Sequence, residues 1–168
     1  MKLLSTTKSI NNGSSYAGIL RVRELLDNAL AARTNTNQKE FTSALTSSLR
    51  VGAHGWSATE FKYTSIQPTG RGHPRAIDFF HIPSKTGIEL ELSNQTCFSH
   101  DLLKMEVAFR EGLINAGVIL TVASNAARQL GWKGGSNKAY LNFESADTFL
   151  GIFAPAITVP VVLFGFET

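Results

Sequence analysis

The sequence predicts an α/β domain in which helices lie on both sides of a mixed β-sheet. Three observations carry this prediction: apolar residues at helical spacing near the N-terminus, two short alternating segments joined like a hairpin, and two continuous apolar runs in the second half of the chain. The 168 residues suit one domain with a single core. We expect residues 1–55 to form N-terminal helices and residues 56–168 to form the sheet core.

Composition and charge restrict the function only weakly. Hydrophobic residues make up 43% of the chain and charged residues 17%, which is typical of a globular protein and excludes a disordered one. The net charge of +3 and the isoelectric point of about 9.2 allow a polyanionic partner without requiring one. The single cysteine, Cys97, excludes an internal disulfide, and the start of the chain has no apolar signal segment. Both features predict a cytoplasmic protein of prokaryotic type.

Two helices are predicted before the first strand. From Ser15 to Arg33, apolar residues recur at helical spacing, and Ser14 or Ser15 is the candidate N-cap. From Lys39 to Leu49, apolar residues follow at four-residue steps and predict a second, shorter helix. Aromatic and β-branched residues from Trp56 to Ile66 then predict a strand, which a basic loop follows.

The rest of the chain alternates between strands and helices. The segments at 75–82 and 87–93 are predicted strands, joined by the Pro- and Gly-containing hairpin loop PSKTG. A long helix after this hairpin permits a right-handed parallel crossover. The remaining predicted elements are, in order, an amphipathic helix at 98–113, a buried strand at 114–123, a short helical turn at 124–131, a polar insertion at 132–147 and a last strand at 159–166.

The stretch from Phe149 to Phe166 contains no charged residue over 18 positions, which reaches the length of a membrane-spanning helix. Pro155 and Pro160 would interrupt such a helix, and Gly151 and Gly165 would weaken it. The end of the stretch therefore predicts a buried strand after a turn, and we expect no contact with a membrane.

Three carboxylates stand among apolar residues of the hairpin: Asp78, Glu89 and Glu91. Side chains alternate across a strand, so Glu89 and Glu91 share one face while the apolar residues between and beside them face the core. Hairpin pairing brings Asp78 opposite or diagonal to Glu89, although the sequence does not determine the register. The pattern therefore predicts a local concentration of negative charge.

This concentration of charge has two interpretations of about equal weight. Close carboxylates repel one another unless one is protonated or a cation neutralises them, and ligands that are all oxygen favour Mg²⁺ or Mn²⁺. Alternatively, the two glutamates lie on an exposed edge strand that resists aggregation, and Asp78 pairs with Arg75 or Lys85.

The hairpin and the segments after it resemble the PD-(D/E)xK nucleases. An acidic residue on one strand and Glu-x-Glu on the next, followed by an amphipathic helix, is similar to the catalytic hairpin of that superfamily. The ordered segments IDFF, GIELELSN, SHDLLKMEVAFREGLINAGVILTV and APAITVPVVLFGF, with HGW before them, resemble the type II restriction endonucleases of the BamHI, BglII and BstYI group. The resemblance spans Pro74 to Phe166 and implies a restriction-endonuclease-like core in a single nuclease domain over residues 1–168.

The resemblance also implies roles for individual residues. Asp78 and Glu89 correspond to metal ligands, helped by the backbone carbonyl of Leu90, with Mg²⁺ as the expected cofactor and Mn²⁺ as a substitute. Glu91 stands where most of the superfamily has Lys, which leaves three roles open: orienting the attacking water, deprotonating it, or holding a second metal. An upstream residue, Gln38 or Glu40, is a candidate fourth member of the site.

The implied function is Mg²⁺-dependent, site-specific cleavage of double-stranded DNA by a homodimer that leaves 5′-phosphate ends. Two alternatives are a less specific repair-type nuclease and a non-catalytic DNA-binding domain on the same fold. Polar and basic residues in two loops and on the long helix are candidates for DNA binding, with a solvated surface as the alternative for each. These candidates are Arg71, His73, Arg75, Lys104, Lys133, Asn137 and Lys138.

Overall fold

The computed structural model describes residues 1–33, 37–50, 56–57 and 77–168. The described strands are β1 (Lys2–Ile10), β2 (Trp56–Ser57), β3 (Phe79–His81), β4 (Thr86–Leu90), β5 (Ala116–Val122) and β6 (Val161–Glu167). The described helices are α1 (Ala17–Ala31), α2 (Gln38–Arg50), α3 (Gln95–Arg110), α4 (Ser124–Gln129) and α5 (Phe143–Phe153).

The six strands form one mixed sheet in the order β1-β6-β5-β4-β3-β2. The central strands β4, β5 and β6 are parallel, whereas β1 with β6, β4 with β3 and β3 with β2 pair antiparallel. Helix α3 makes the crossover from β4 to β5, since parallel neighbours need a long connection. Every residue of β5 is buried, as expected for a central strand covered on both faces.

Helices cover both faces of the sheet. On one face, α1, α2 and α4 enclose a core in which the rings of Phe41 and Phe166 stack with their centroids 5.1 Å apart. On the other face, α3 and α5 enclose a second core around Met105 and Leu150. Gly117 of β5 leaves room for the Met105 side chain, so α3 lies close against the sheet. The prediction of a mixed sheet flanked by helices is confirmed.

Two elements were not predicted. Strand β1 pairs with β6 at the edge of the sheet and buries only Leu3 among its nine residues, so it lacks the apolar pattern that marks a strand. Helix α5 occupies the end of the predicted polar insertion and the start of the apolar stretch, and Asn142 and Ser145 cap it reciprocally. Because β1 belongs to the sheet, the N-terminal 55 residues contribute a strand as well as helices.

The long helix α3 lies in the predicted region, and on its predicted apolar side Leu102 is buried while Val107 and Phe109 pack against the core. Leu103, which the apolar pattern also placed on that side, is 58% exposed, whereas Met105 is fully buried. Three charged residues of α3 are also buried: Asp101, Lys104 and Glu106. The predicted Ser cap of α1 is also wrong, because Tyr16 is its N-cap. In the described parts of the chain, no helix is long and apolar enough to cross a membrane.

Candidate active site

Asp78 and Glu89 face each other across the β3–β4 hairpin. The ladder pairs Phe79 with Ile88, and the same register one residue further places Asp78 opposite Glu89. Asp78 accepts a hydrogen bond of 3.0 Å from the backbone N–H of Leu90, which fixes its carboxylate beside β4. The pairing that the sequence left open is therefore the directly opposite one.

Glu89 and Glu91 are both buried on the face of the sheet that α3 covers, with 2% and 6% of their surfaces exposed. Strand β4 lies between β3 and β5, so the interpretation of these glutamates as exposed edge residues is wrong. Glu91 accepts two hydrogen bonds of 2.6 Å on Oε1, from the backbone N–H and the hydroxyl of Ser93. Its carboxylate is thus oriented by a neighbour two residues away.

Helix α3 adds two charged residues to this face. The Lys104 ammonium lies 2.6 Å from Glu89 Oε1 and 2.9 Å from Asp101 Oδ1. Asp101 also lies close enough to Glu91 to raise the pKa of that carboxyl. Asp101 and Lys104 are one turn apart on α3, so their side chains project from the same side of the helix. Asp101 was not predicted, because a charged residue on a helix is read from sequence as solvent-exposed.

The electrostatics of the cluster show an excess of negative charge. Burial raises the pKa of Glu89 far above its usual range, the nearby Asp101 and Asp78 raise it further, and the Lys104 ammonium opposes them. Burial also raises the pKa of Glu91 to about 7, although the hydrogen bonds from Ser93 oppose this shift. A bound cation would favour the ionised form of both glutamates.

The residues present fit a hard divalent cation. Asp78, Glu89 and the Leu90 carbonyl offer only oxygen donors, and the buried carboxylate of Glu89 lies among other negative charges. Glu89 Oε1 lies 2.6 Å from the Lys104 ammonium, which partly offsets the negative charge around it. Within the described ranges, no three His, Cys, Asp or Glu side chains converge as a ready-made metal site. A cation here would therefore use two carboxylates, a backbone carbonyl and water.

The predicted upstream residues differ in their placement. Gln38, at the start of α2, donates a hydrogen bond of 3.0 Å to the Leu92 carbonyl, directly after Glu91. Glu40 is exposed on the same helix. The structure thus brings Gln38, but not the Glu40 carboxylate, into contact with the segment that carries the glutamates.

The polar insertion lies beside the acidic cluster. The N–H of Leu141 bonds the Ser93 carbonyl at 2.8 Å, and the N–H of Gln95 bonds the Ala139 carbonyl at 2.9 Å. Three predicted DNA-binding residues are exposed on this loop: Lys133, Asn137 and Lys138. Three others lie outside the described residues: Arg71, His73 and Arg75. Lys104 is buried within the cluster instead.

A family model described as restriction endonuclease BglII/BglIII matches residues 18–166, which extend from the start of α1 into β6. The chain belongs to this family. Family membership makes it a type II restriction endonuclease, which is a site-specific deoxyribonuclease. No curated protein sequence matches the chain.

Two solved structures of BglII have the same fold. The structure of BglII complexed with a DNA 16-mer matches with a TM-score of 0.67 and 16% identity, over 100% of this chain and 77% of that chain. The structure of free BglII matches with a TM-score of 0.58 and 13% identity, over 100% of this chain and 80% of that chain. At these identities the matches establish the restriction-endonuclease fold, while the roles of single residues remain predictions.

Proposed function

We propose that this restriction endonuclease uses Mg²⁺ to cut double-stranded DNA at one short sequence and leaves 5′-phosphate ends. The observation that carries the proposal is that Asp78 lies opposite the buried Glu89 across the β3–β4 hairpin, in a chain that belongs to this family. The DNA 16-mer in the BglII structure supports duplex DNA as the substrate.

Asp78, Glu89 and the Leu90 carbonyl are the proposed metal ligands. Mg²⁺ is usually held by one or two carboxylates and keeps several waters, which suits this small set of oxygen donors. Mn²⁺ accepts the same ligands and is the expected substitute. When bound, such a cation lowers the pKa of a coordinated water and neutralises charge that develops on the phosphate.

Glu91 is the proposed residue that orients and deprotonates the attacking water. Its pKa of about 7 is well matched to a general base at neutral pH, and Ser93 fixes its position. The water oxygen forms a bond to phosphorus in line with the breaking P–O3′ bond. The departing O3′ takes up a proton, so the products are a 3′-hydroxyl and a 5′-phosphate.

The exposed insertion next to Ser93 is the proposed DNA-contacting loop. Lys133 and Lys138 suit phosphate oxygens, and Asn137 suits the edge of an adenine. Arg71, His73 and Arg75 are proposed to contact the phosphate backbone ahead of the hairpin. Lysine contacts of this kind predict that DNA affinity falls as the salt concentration rises.

We further propose that residues 1–168 act as a single nuclease domain in a cytoplasmic homodimer. A palindromic site matches a two-fold symmetric protein, with one hairpin cluster for each DNA strand. Helices α3 and α5 lie on the same face of the sheet and expose Leu103 and Ile152 to 58% and 62%. This apolar surface is the proposed dimer contact. The unpaired Cys97 suits a reducing compartment.

A digest tests the proposal. Unmethylated phage DNA is incubated with the chain in Mg²⁺, in Mn²⁺ and in EDTA, and the fragment ends are sequenced. We expect discrete fragments with a shared end sequence in Mg²⁺, none in EDTA, and none with Asp78→Asn. Asp147, which is half-exposed and pairs with Lys8, supplies the control variant Asp147→Asn. A smear would indicate a less specific nuclease, and intact DNA in both metals would contradict the proposal.

A further inference from the structure

We infer that Lys104 is a positioning residue: its ammonium holds the Glu89 carboxylate in place, and Asp101 holds the ammonium in turn. This inference rests on the proposed function, because it assigns Glu89 to the reaction. It changes the role predicted for Lys104 from contacting DNA to supporting a metal ligand. It also gives Asp101, which no sequence pattern marked, a place in the same cluster.

The geometry of the Lys104 ammonium carries the inference. The ammonium bridges two elements, since it lies 2.6 Å from Glu89 Oε1 on β4 and 2.9 Å from Asp101 Oδ1 on its own helix. Lys104 is 8% exposed, Asp101 5% and Glu89 2%. Lysine and its carboxylate partners are rarely buried this deeply unless they are paired. The three side chains therefore form one buried ionic unit.

A phosphate contact would require this unit to come apart. DNA would have to draw the ammonium away from two buried carboxylates and leave both without a counter-charge, which is costly in a protein interior. The exposed lysines of the insertion are available to DNA without such a cost. The buried location thus favours the supporting role over the phosphate contact.

Helix α3 fixes the height and rotation of Lys104 above the sheet. Asn94 caps its first turn, Met105 packs into the space above Gly117, and Glu106 bonds the backbone of Thr158 and Val159. A side chain on a helix that is anchored in this way can hold a metal ligand in position more accurately than a side chain on a loop can.

The consequence for Glu89 concerns the orientation of its carboxylate. The ammonium contacts Oε1 and so restrains the carboxylate that would hold a cation together with Asp78. Without the Lys104 ammonium, the carboxylate of Glu89 faces the carboxylates of Asp101 and Asp78 with no positive charge between them. Repulsion between these like charges favours a rotation of the Glu89 side chain away from the other two. Lys104 therefore acts on the reaction through the position of Glu89, with no contact to the DNA.

Two measurements on Lys104 variants test the inference. Single-turnover cleavage in Mg²⁺ reports the reaction, and DNA affinity measured in Ca²⁺ reports binding. Lys104→Met is expected to lower the cleavage rate about 100-fold, because a displaced ligand misplaces the reacting groups, while DNA affinity changes by less than about twofold. Lys104→Arg keeps the charge and is expected to restore an intermediate rate. Lys2→Met, at an exposed site on β1, is the control and should match the wild type in both measurements.

The ion pair is also observed directly, without reference to activity. The ¹⁵Nζ resonance of Lys104 in the metal-free protein is expected to be protected from solvent exchange and to shift in Glu89→Gln and in Asp101→Asn. This readout serves as the second test if Lys104→Met does not fold. The inference is overturned if the Lys104 ammonium exchanges rapidly with solvent and its ¹⁵Nζ resonance has the same chemical shift in both variants as in the wild type.

The kinetic outcomes are equally decisive. A parallel loss of DNA affinity and cleavage in Lys104→Met overturns the inference in favour of a DNA contact, and an unchanged cleavage rate overturns it outright. A wild-type chain that cuts no DNA overturns the proposed function, and the reaction role of Lys104 with it. The protected resonance would then remain as a purely structural ion pair, so the two failures are distinguishable.

Discussion

At the scale of single residues, Glu106 shows how a buried charge stabilises this fold. Its carboxylate accepts hydrogen bonds from the Thr158 hydroxyl, the N–H groups of Thr158 and Val159, and Arg110, at 2.6 to 2.9 Å. It thereby connects α3 to the segment that leads into β6. Burial opposes ionisation, but these hydrogen bonds prevail and lower the pKa of Glu106 to about 2.

Glu106 makes stability depend on pH in a defined direction. Its folded pKa lies below the unfolded value of 4.5, so its contribution is complete above pH 4.5 and disappears as the pH falls toward 2. We expect Glu106→Gln to lower the free energy of unfolding by about 3 kcal/mol at pH 7 and by roughly half as much at pH 3. Urea unfolding at both pH values measures this, with the exposed Glu24→Gln as the control. An equal loss at both pH values would contradict the assignment.

The sequence predicted three carboxylates of the candidate site but not their buried ionic partners on α3. Asp78, Glu89 and Glu91 could be recognised because strand alternation predicts which side chains share a face. Asp101 and Glu106 could not, and Lys104 was predicted only as a DNA contact, since a charged residue on a helix is exposed unless a partner from another element meets it. The partners of these residues lie on β4 and before β6, and only the folded structure brings them together.

At the scale of elements, the insertion between α4 and α5 depends on glycine for its close packing. A Cβ at Gly135 would collide with the backbone of Ala127 and Arg128, whereas a Cβ at Gly151 of α5 would meet nothing within 4 Å. We expect Gly135→Ala to cost about 1–3 kcal/mol of stability and to slow cleavage, because the loop borders Ser93. Gly151→Ala should raise stability by about 0.5–1 kcal/mol through helix propensity. Thermal unfolding of both variants measures these two changes in stability. A Gly135→Ala variant as stable as the wild type would contradict the prediction that the loop needs glycine at this position.

Strongly patterned elements could be predicted, and weakly patterned ones could not. The helices α1 and α2 follow from apolar spacing, the buried strand β5 from a continuous apolar run, and the hairpin from two strands joined by a Pro- and Gly-containing loop. The edge strand β1 is stabilised by its pairing with β6, which is a contact between the two ends of the chain. The register of the hairpin likewise depends on packing, since Phe79 and Ile88 pair on the face covered by α1 and α2.

At the scale of the whole molecule, the sheet separates two surfaces that differ in their proposed roles. Leu103 lies on the α3/α5 side and Leu20 on the α1 side, and they are 58% and 70% exposed. If the dimer forms through α3 and α5, Leu103→Asp should convert a dimer to a monomer, while Leu20→Asp should leave the dimer intact. Light scattering after size exclusion measures the mass of each. A monomeric wild type, or a dimer that only Leu20→Asp disrupts, would contradict the proposal that the dimer forms through α3 and α5.

The family and the fold are retained at 16% identity to BglII, so most of the sequence is free to differ while the sheet and its hairpin persist. A core requires apolar residues of suitable size at given positions, and many sequences satisfy it. The bases that the enzyme reads depend on a few exposed side chains. Such contacts follow from no periodic pattern, which is why the recognition sequence cannot be predicted from this chain.

The most direct test of the central claim is single-turnover cleavage of the mapped DNA site by wild type and Asp78→Asn in Mg²⁺. If Asp78 and Glu89 hold the cation that drives hydrolysis, Asp78→Asn should lose at least about 1,000-fold in rate while binding the DNA and unfolding at the same temperature as the wild type. Asp147→Asn should cleave at the wild-type rate. Cleavage by Asp78→Asn within about tenfold of the wild type would contradict the claim that this hairpin is the catalytic centre.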